Sequence, residues 1–161
     1  MRECVDEKPA ASSLTNDGSA LRCVVERMPP PAPARSSAPI TVLLVEDDQE
    51  EAEVLERALV ERGFSVVRAQ DGIDAVSCLY ASRPDVALVD LRMPRMNGLE
   101  LIEQMREDRS LASLRVFAMS GAPQLLAHAR ELGVNGVLEK PLQIDALTDV
   151  LRGARRVAGL G

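Results

Sequence analysis

Five short runs of β-prone apolar residues, each followed by a segment with helical spacing, constrain this chain more than any other feature. The runs are ITVLLV (40–45), FSVVRAQ (64–70), DVALVD (85–90), LRVFAMS (114–120) and VNGVLE (134–139). The first and third are apolar almost throughout rather than alternating, the pattern of strands buried on both faces. The segments between them repeat every three to four residues. Ala52, Leu55, Ala58 and Leu59 share one face of 48–63, and Ile73, Val76, Leu79 and Tyr80 one face of 71–83. Leu101, Ile102 and Met105 do so within 98–108, and Ile144, Leu147, Val150 and Leu151 within 143–156. A short helix from Pro123 to Gly133 completes the set. Strand then helix, five times, predicts an α/β fold: a five-stranded parallel sheet, doubly wound, with helices on both faces. Right-handed crossovers favour the strand order 2-1-3-4-5.

Residues 1–39 carry no such period. They end in MPPPAPARSSAP and hold five acids against five bases, so the chain's net charge of −6 belongs to residues 40–161. A segment of this composition buries too little apolar surface to offset its ordering entropy, and a disordered Pro/Ser-rich extension is expected there. Residues 40–155 form the expected domain and 156–161 a short tail. The acidic domain argues against direct nucleic-acid binding, as do two Phe, one Tyr and no Trp against base stacking. Cys4, Cys23 and Cys78 fit neither a disulfide framework nor a metal spacing. There is no apolar run of membrane-spanning length and no signal-peptide pattern, so no membrane insertion and a cytoplasmic location are expected.

In open parallel sheets ligands bind beyond the carboxyl ends of the strands. Strand 1 ends in Glu46-Asp47-Asp48, strand 3 in Asp90, strand 4 in Ser120 and strand 5 in Glu139-Lys140-Pro141. With strands 1 and 3 adjacent, Glu46, Asp47 and Asp90 converge and repel one another. A divalent cation relieves that repulsion, and oxygen-only donors suit Mg²⁺. Lys140, the only lysine in residues 9–161, also relieves it. Each residue has a plainer reading alone: Asp48 as a helix N-cap, Ser120 as a cap ahead of Pro123, Lys140 as a solvated loop residue. Their joint placement at one end of one sheet favours the site. A metal-bound carboxylate facing an ammonium and a hydroxyl is equipped to receive a phosphoryl group.

The segments VLLVEDD, ALVDLRMPRMNG, AMSG and GVNGVLEKP together resemble the response-regulator receiver domain of two-component signalling, over about residues 40–155. The resemblance implies a flavodoxin-like domain with Asp90 as phosphoacceptor. Glu46 and Asp47 would hold Mg²⁺ (or Mn²⁺), with Asp47 the more direct ligand and the Arg92 backbone carbonyl a further one. Ser120 would be the switch hydroxyl and Lys140 the phosphoryl contact. The implied partners are a sensor histidine kinase or a histidine-phosphotransfer protein upstream, and a protein target downstream. The domain would be a phosphorylation-switched signalling module rather than a turnover enzyme, catalysing only its own phosphotransfer and slow autodephosphorylation. Only a short tail follows the last helix, so signalling by protein contact without an output domain is expected.

One departure from the family bears on switching. Receivers commonly carry an aromatic residue three positions before the lysine, where this chain has Val137, a β-branched side chain with little rotamer freedom. Arg92 also separates this chain from aspartyl-phosphate hydrolases of the haloacid-dehalogenase type, which place a second carboxylate two residues after the nucleophile. A cofactor-binding flavodoxin-like module lacks support, because no Gly-rich loop follows strand 1.

Overall fold

The computed structural model describes residues 38–158, with side chains to Ala154. Most of the expected N-terminal extension and the last three residues lie outside the described residues. Five strands and five helices alternate: β1 (Thr41–Val45), α1 (Gln49–Glu61), β2 (Ser65–Ala69), α2 (Gly72–Ser82), β3 (Val86–Asp90), α3 (Gly98–Glu107), β4 (Arg115–Ser120), α4 (Pro123–Glu131), β5 (Gly136–Glu139) and α5 (Ile144–Ala158). A 3-10 turn at Arg109–Leu111, not anticipated from the spacing, joins α3 to β4. All pairings are parallel and the order is β2-β1-β3-β4-β5, as the alternation predicted.

The period-2 geometry of the strands sorts their residues into two cores. Leu43, Val45, Ala87, Val89, Val116 and Ala118 face one layer with α2, α3 and α4. Val42, Leu44, Val86, Leu88, Phe117 and Met119 face the other, with α1 and α5. β3 lies at the centre and is buried at all five positions. Each fully buried Val or Leu there contributes about 1.5–3 kcal/mol relative to exposure, which is why this strand tolerates no alternation.

Helices α1 and α3 obey their spacing, whereas α2 and α5 depart from it. α1 buries Ala52, Leu55 and Leu59, and α3 buries Leu101, Ile102 and Met105. In α2 the buried positions are Gly72, Ala75 and Leu79, whereas Ile73 and Tyr80 are 65% and 54% exposed. The expected face was therefore rotated. Two small residues join Leu79 against the rest of the domain here, and a Cβ on Gly72 would stand 2.3 Å from Met96 Sδ. α5 buries Leu147, Thr148 and Leu151 while Val150 turns outward.

Caps mark the helix starts. Asp48, Asp71 and Asn97 each accept from the backbone N–H three residues on, Glu51, Asp74 and Glu100. Asp48 thus takes the capping role its position suggested. α4 has no side-chain cap and begins at Pro123, whose missing N–H removes one orphan donor.

Candidate functional site

The sheet register carries four polar residues to one end. Val45 pairs with Val89, Asp90 with Met119 and Ser120 with Glu139. The ladder continues one step beyond the strands: Glu46 N–H donates to Ala69 O (3.1 Å), Leu91 N–H to Met119 O (3.0 Å) and Lys140 N–H to Ser120 O (3.0 Å). Backbone bonds on neighbouring strands therefore fix where Glu46, Asp90, Ser120 and Lys140 emerge. Gly98 closes this end tightly, since a Cβ there would lie 2.2 Å from the Asp90 carbonyl oxygen.

Lys140 ties the site together. Its Nζ lies 2.9 Å from Glu46 Oε2, 2.9 Å from Asp90 Oδ2 and 2.9 Å from Glu51 Oε2. The oxygens of Glu46, Glu51 and Asp90 sit within 4.8 Å of one another. Glu46 and Asp90 are buried, at 3% and 4% exposure. Asp90 Oδ1 accepts from the Arg92 N–H (2.8 Å) and Glu46 Oε1 from the Asp48 N–H (3.2 Å), so both carboxylates are held at each oxygen. The Lys140–Pro141 peptide is cis.

The electrostatics follow from burial. Loss of water pushes the Glu46 carboxyl up to about 7; its bond to Lys140 opposes this and the Asp90 charge adds to it. Burial alone would lower the Lys140 pKa. The bonds to Glu46, Asp90 and Glu51 outweigh it and hold the ammonium firmly charged. Like charges this close need a cation between them, and Lys140 is that cation among the described residues.

Glu51 was not foreseen. It occupies the third position of α1, four residues after Asp47, where an acid reads as a partner for the helix dipole or a capping box. Its N–H does bond to Asp48, but its side chain turns to a lysine 89 residues away. Asp47, expected at the centre, is exposed, and its carboxylate is not among the three that converge. Arg92 presents an exposed side chain with no hydrogen bond or ion pair among the described residues, while its N–H holds the Asp90 carboxylate.

Ser120 is 1% exposed and its Oγ accepts from the Ala122 N–H at 3.1 Å. This is a local side-chain turn before α4 rather than a cap of its first turn. Val137 on β5 pairs with Ala118 on β4 and is half-buried against the core shared with α4. His128 is exposed on α4, and Cys78 packs half-buried with its thiol toward Arg68 O (3.7 Å).

The doubly wound parallel α/β domain thus gathers two buried carboxylates and a lysine beyond its central strands. The family model of the response regulator receiver domain matches residues 42–152, and the chain belongs to that family. It is 31% identical over 118 residues to the response regulator MprA of Mycobacterium sp. (strain KMS), covering 73% of this chain and 51% of that protein. It is 36% identical over 102 residues to the regulator of RpoS of Escherichia coli K12, covering 63% of this chain and 30% of that one. The chain thus spans about half the length of the first relative and under a third of the second. Among solved structures, the Vibrio cholerae chemotaxis protein CheY4 superposes with a TM-score of 0.67 at 25% identity, covering 73% of this chain and 99% of that one. The N-terminal domain of an uncharacterized protein from Wolinella succinogenes gives 0.67 at 29% identity, covering 75% and 97%. The chain is a receiver domain of two-component signalling. No helix among the described residues is long and apolar enough to cross a membrane.

Proposed function

We propose that Asp90 accepts a phosphoryl group from the phosphohistidine of a sensor histidine kinase or phosphotransfer protein, and that the modified domain signals to a downstream protein in the cytoplasm. The observation that carries this reading is the Asp90 carboxylate, buried at the end of β3 with Lys140 Nζ 2.9 Å from Oδ2.

An Asp90 oxygen attacks phosphorus, and the O–P bond forms as the donor's P–N bond breaks. The leaving imidazole keeps the electron pair of that bond. The Arg92 N–H holds Oδ1 and orients the carboxylate. Lys140 moves one N–H from a carboxylate to an oxygen of the transferred group and offsets its charge. Ser120 exchanges its local turn for a hydrogen bond to the phosphoryl group, which pulls on the loop leading into α4. Val137 brings no ring to this movement, so the loop and α4 carry the readout.

The donor set fits Mg²⁺, being oxygen throughout. Glu46, Asp90 and the Arg92 carbonyl would hold it, joined by Asp47 once its side chain turns in from solvent, and a bound Mg²⁺ (or Mn²⁺) would neutralise charge on the phosphoryl oxygens. The reading is tested by exposing the purified chain to acetyl phosphate with Mg²⁺ and measuring intact mass. One added phosphoryl group, absent from Asp90→Asn and after chelation, is expected. Equal labelling of Asp90→Asn would refute it.

A further inference from the structure

An ammonium has three N–H donors and no more. In Lys140 all three are engaged, by Glu46, Asp90 and Glu51, each at 2.9 Å. A phosphoryl group arriving on Asp90 needs one of them, so one carboxylate has to let go.

The three are not equally free to do so. The Glu46 side chain is 1% exposed and that of Asp90 6%, against 47% for Glu51. Releasing Glu46 would leave a charge stranded away from water. Its second oxygen is also held by Asp48 N–H, as that of Asp90 is by Arg92 N–H. The second oxygen of Glu51 has no partner among the described residues. The Glu51 backbone is fixed by its bond to the Asp48 cap, so only a half-exposed side chain has to swing into solvent.

We propose that Glu51 is a displaceable placeholder. It occupies the Lys140 N–H that the phosphoryl oxygen takes over, and it sets a threshold for loading the site. This makes it a positioning residue acting through Lys140, and the inference rests on the phosphoacceptor reading above. Its competition has the size of a solvent-exposed ion pair. Removing it should therefore tighten binding of a phosphoryl mimic by about 1.5- to 5-fold.

The test is titration of the full chain with beryllofluoride at saturating Mg²⁺, followed by fluorine NMR, for wild type, Glu51→Ala and Glu51→Asp. The aspartate keeps the charge but is one methylene too short. Both variants are expected to bind more tightly than wild type. An unchanged affinity in Glu51→Ala would overturn the proposal. So would a Glu51→Asp that matches wild type, since charge alone would then explain the effect. Wild type that binds no beryllofluoride, or binding that survives Asp90→Asn, would take down the phosphoacceptor reading and this inference with it. A second readout needs no metal. Lys140 shares the chain only with Lys8, so its ammonium resonance in lysine-labelled protein is readily assigned. It should shift in both variants, and an unmoved resonance would contradict the contact.

Discussion

Gly98→Ala is the substitution by which the fold and the site can be tested together. Gly98 is the first residue of α3, just after its Asn97 cap, and has no positive φ. Backbone conformation alone would let alanine in, with a gain of about 0.4–1 kcal/mol from the less flexible unfolded chain. The surroundings forbid it. The new methyl would lie 2.2 Å from the Asp90 carbonyl oxygen, 2.8 Å from Leu91 Cα and 2.9 Å from Asp90 C, well short of the 3.4 Å at which ordinary contact begins. All three neighbours are backbone and none can rotate away. Overpacking costs about 1–3 kcal/mol in a typical core, and a backbone wall puts this site at the upper end. A net loss of about 2 kcal/mol and a fall in Tm of about 8 °C are expected. The displaced backbone belongs to Asp90 itself, so labelling by acetyl phosphate should slow as well. Gly121→Ala is the control for stability alone: a Cβ there meets nothing within 4 Å. Urea denaturation and initial labelling rates read both effects. Gly98→Ala with the stability of Gly121→Ala would refute the close packing of α3 on the end of β3.

Three further outcomes follow from particular contacts. Lys140→Met leaves the Glu46 and Asp90 carboxylates without their cation and should cost about 3 kcal/mol at neutral pH; adding Glu46→Gln should recover part of that loss in urea denaturation, and purely additive effects would deny the coupling. Tyr80, the only tyrosine, donates to Asp108 and is held above the ordinary tyrosine range chiefly by that bond; tyrosinate absorbance should rise at lower pH in Asp108→Ala than in wild type. Leu79→Ala should cost about 2–5 kcal/mol as a core deletion, whereas Ile73→Ala on the exposed side of α2 should stay within about 0.5 kcal/mol; the reverse order would restore the large-residue face.

The inner strands β1, β3 and β4 were legible because burial on both faces forces continuous apolar runs, and β3 has no exposed position to disguise it. The site was legible where it depends on strand ends. Glu46, Asp90 and Ser120 directly follow an apolar run and Lys140 follows one with only Glu139 between, and the backbone ladder fixes the rest. Glu51 was hidden because a helix-start acid has a sufficient local explanation, while its actual partner is remote in sequence. Asp47 reads from the resemblance as the more direct ligand of the acidic pair, yet successive residues leaving a strand diverge, and Glu46 is buried while Asp47 is exposed. Apolar periodicity misplaces the buried face of α2 because it weighs Ile73 and Tyr80 above Gly72 and Ala75. Close approach to Met96 rewards the absence of a side chain at Gly72.

The most direct test of the central claim is chemical mapping of the phosphoryl group. Borohydride reduces an aspartyl phosphate to homoserine, and peptide mass spectrometry then locates the converted residue. Acetyl phosphate and Mg²⁺ followed by borohydride should convert Asp90 alone. Conversion at Asp47 or Asp48, or none at all in a chain that has gained phosphoryl mass, would contradict the assignment.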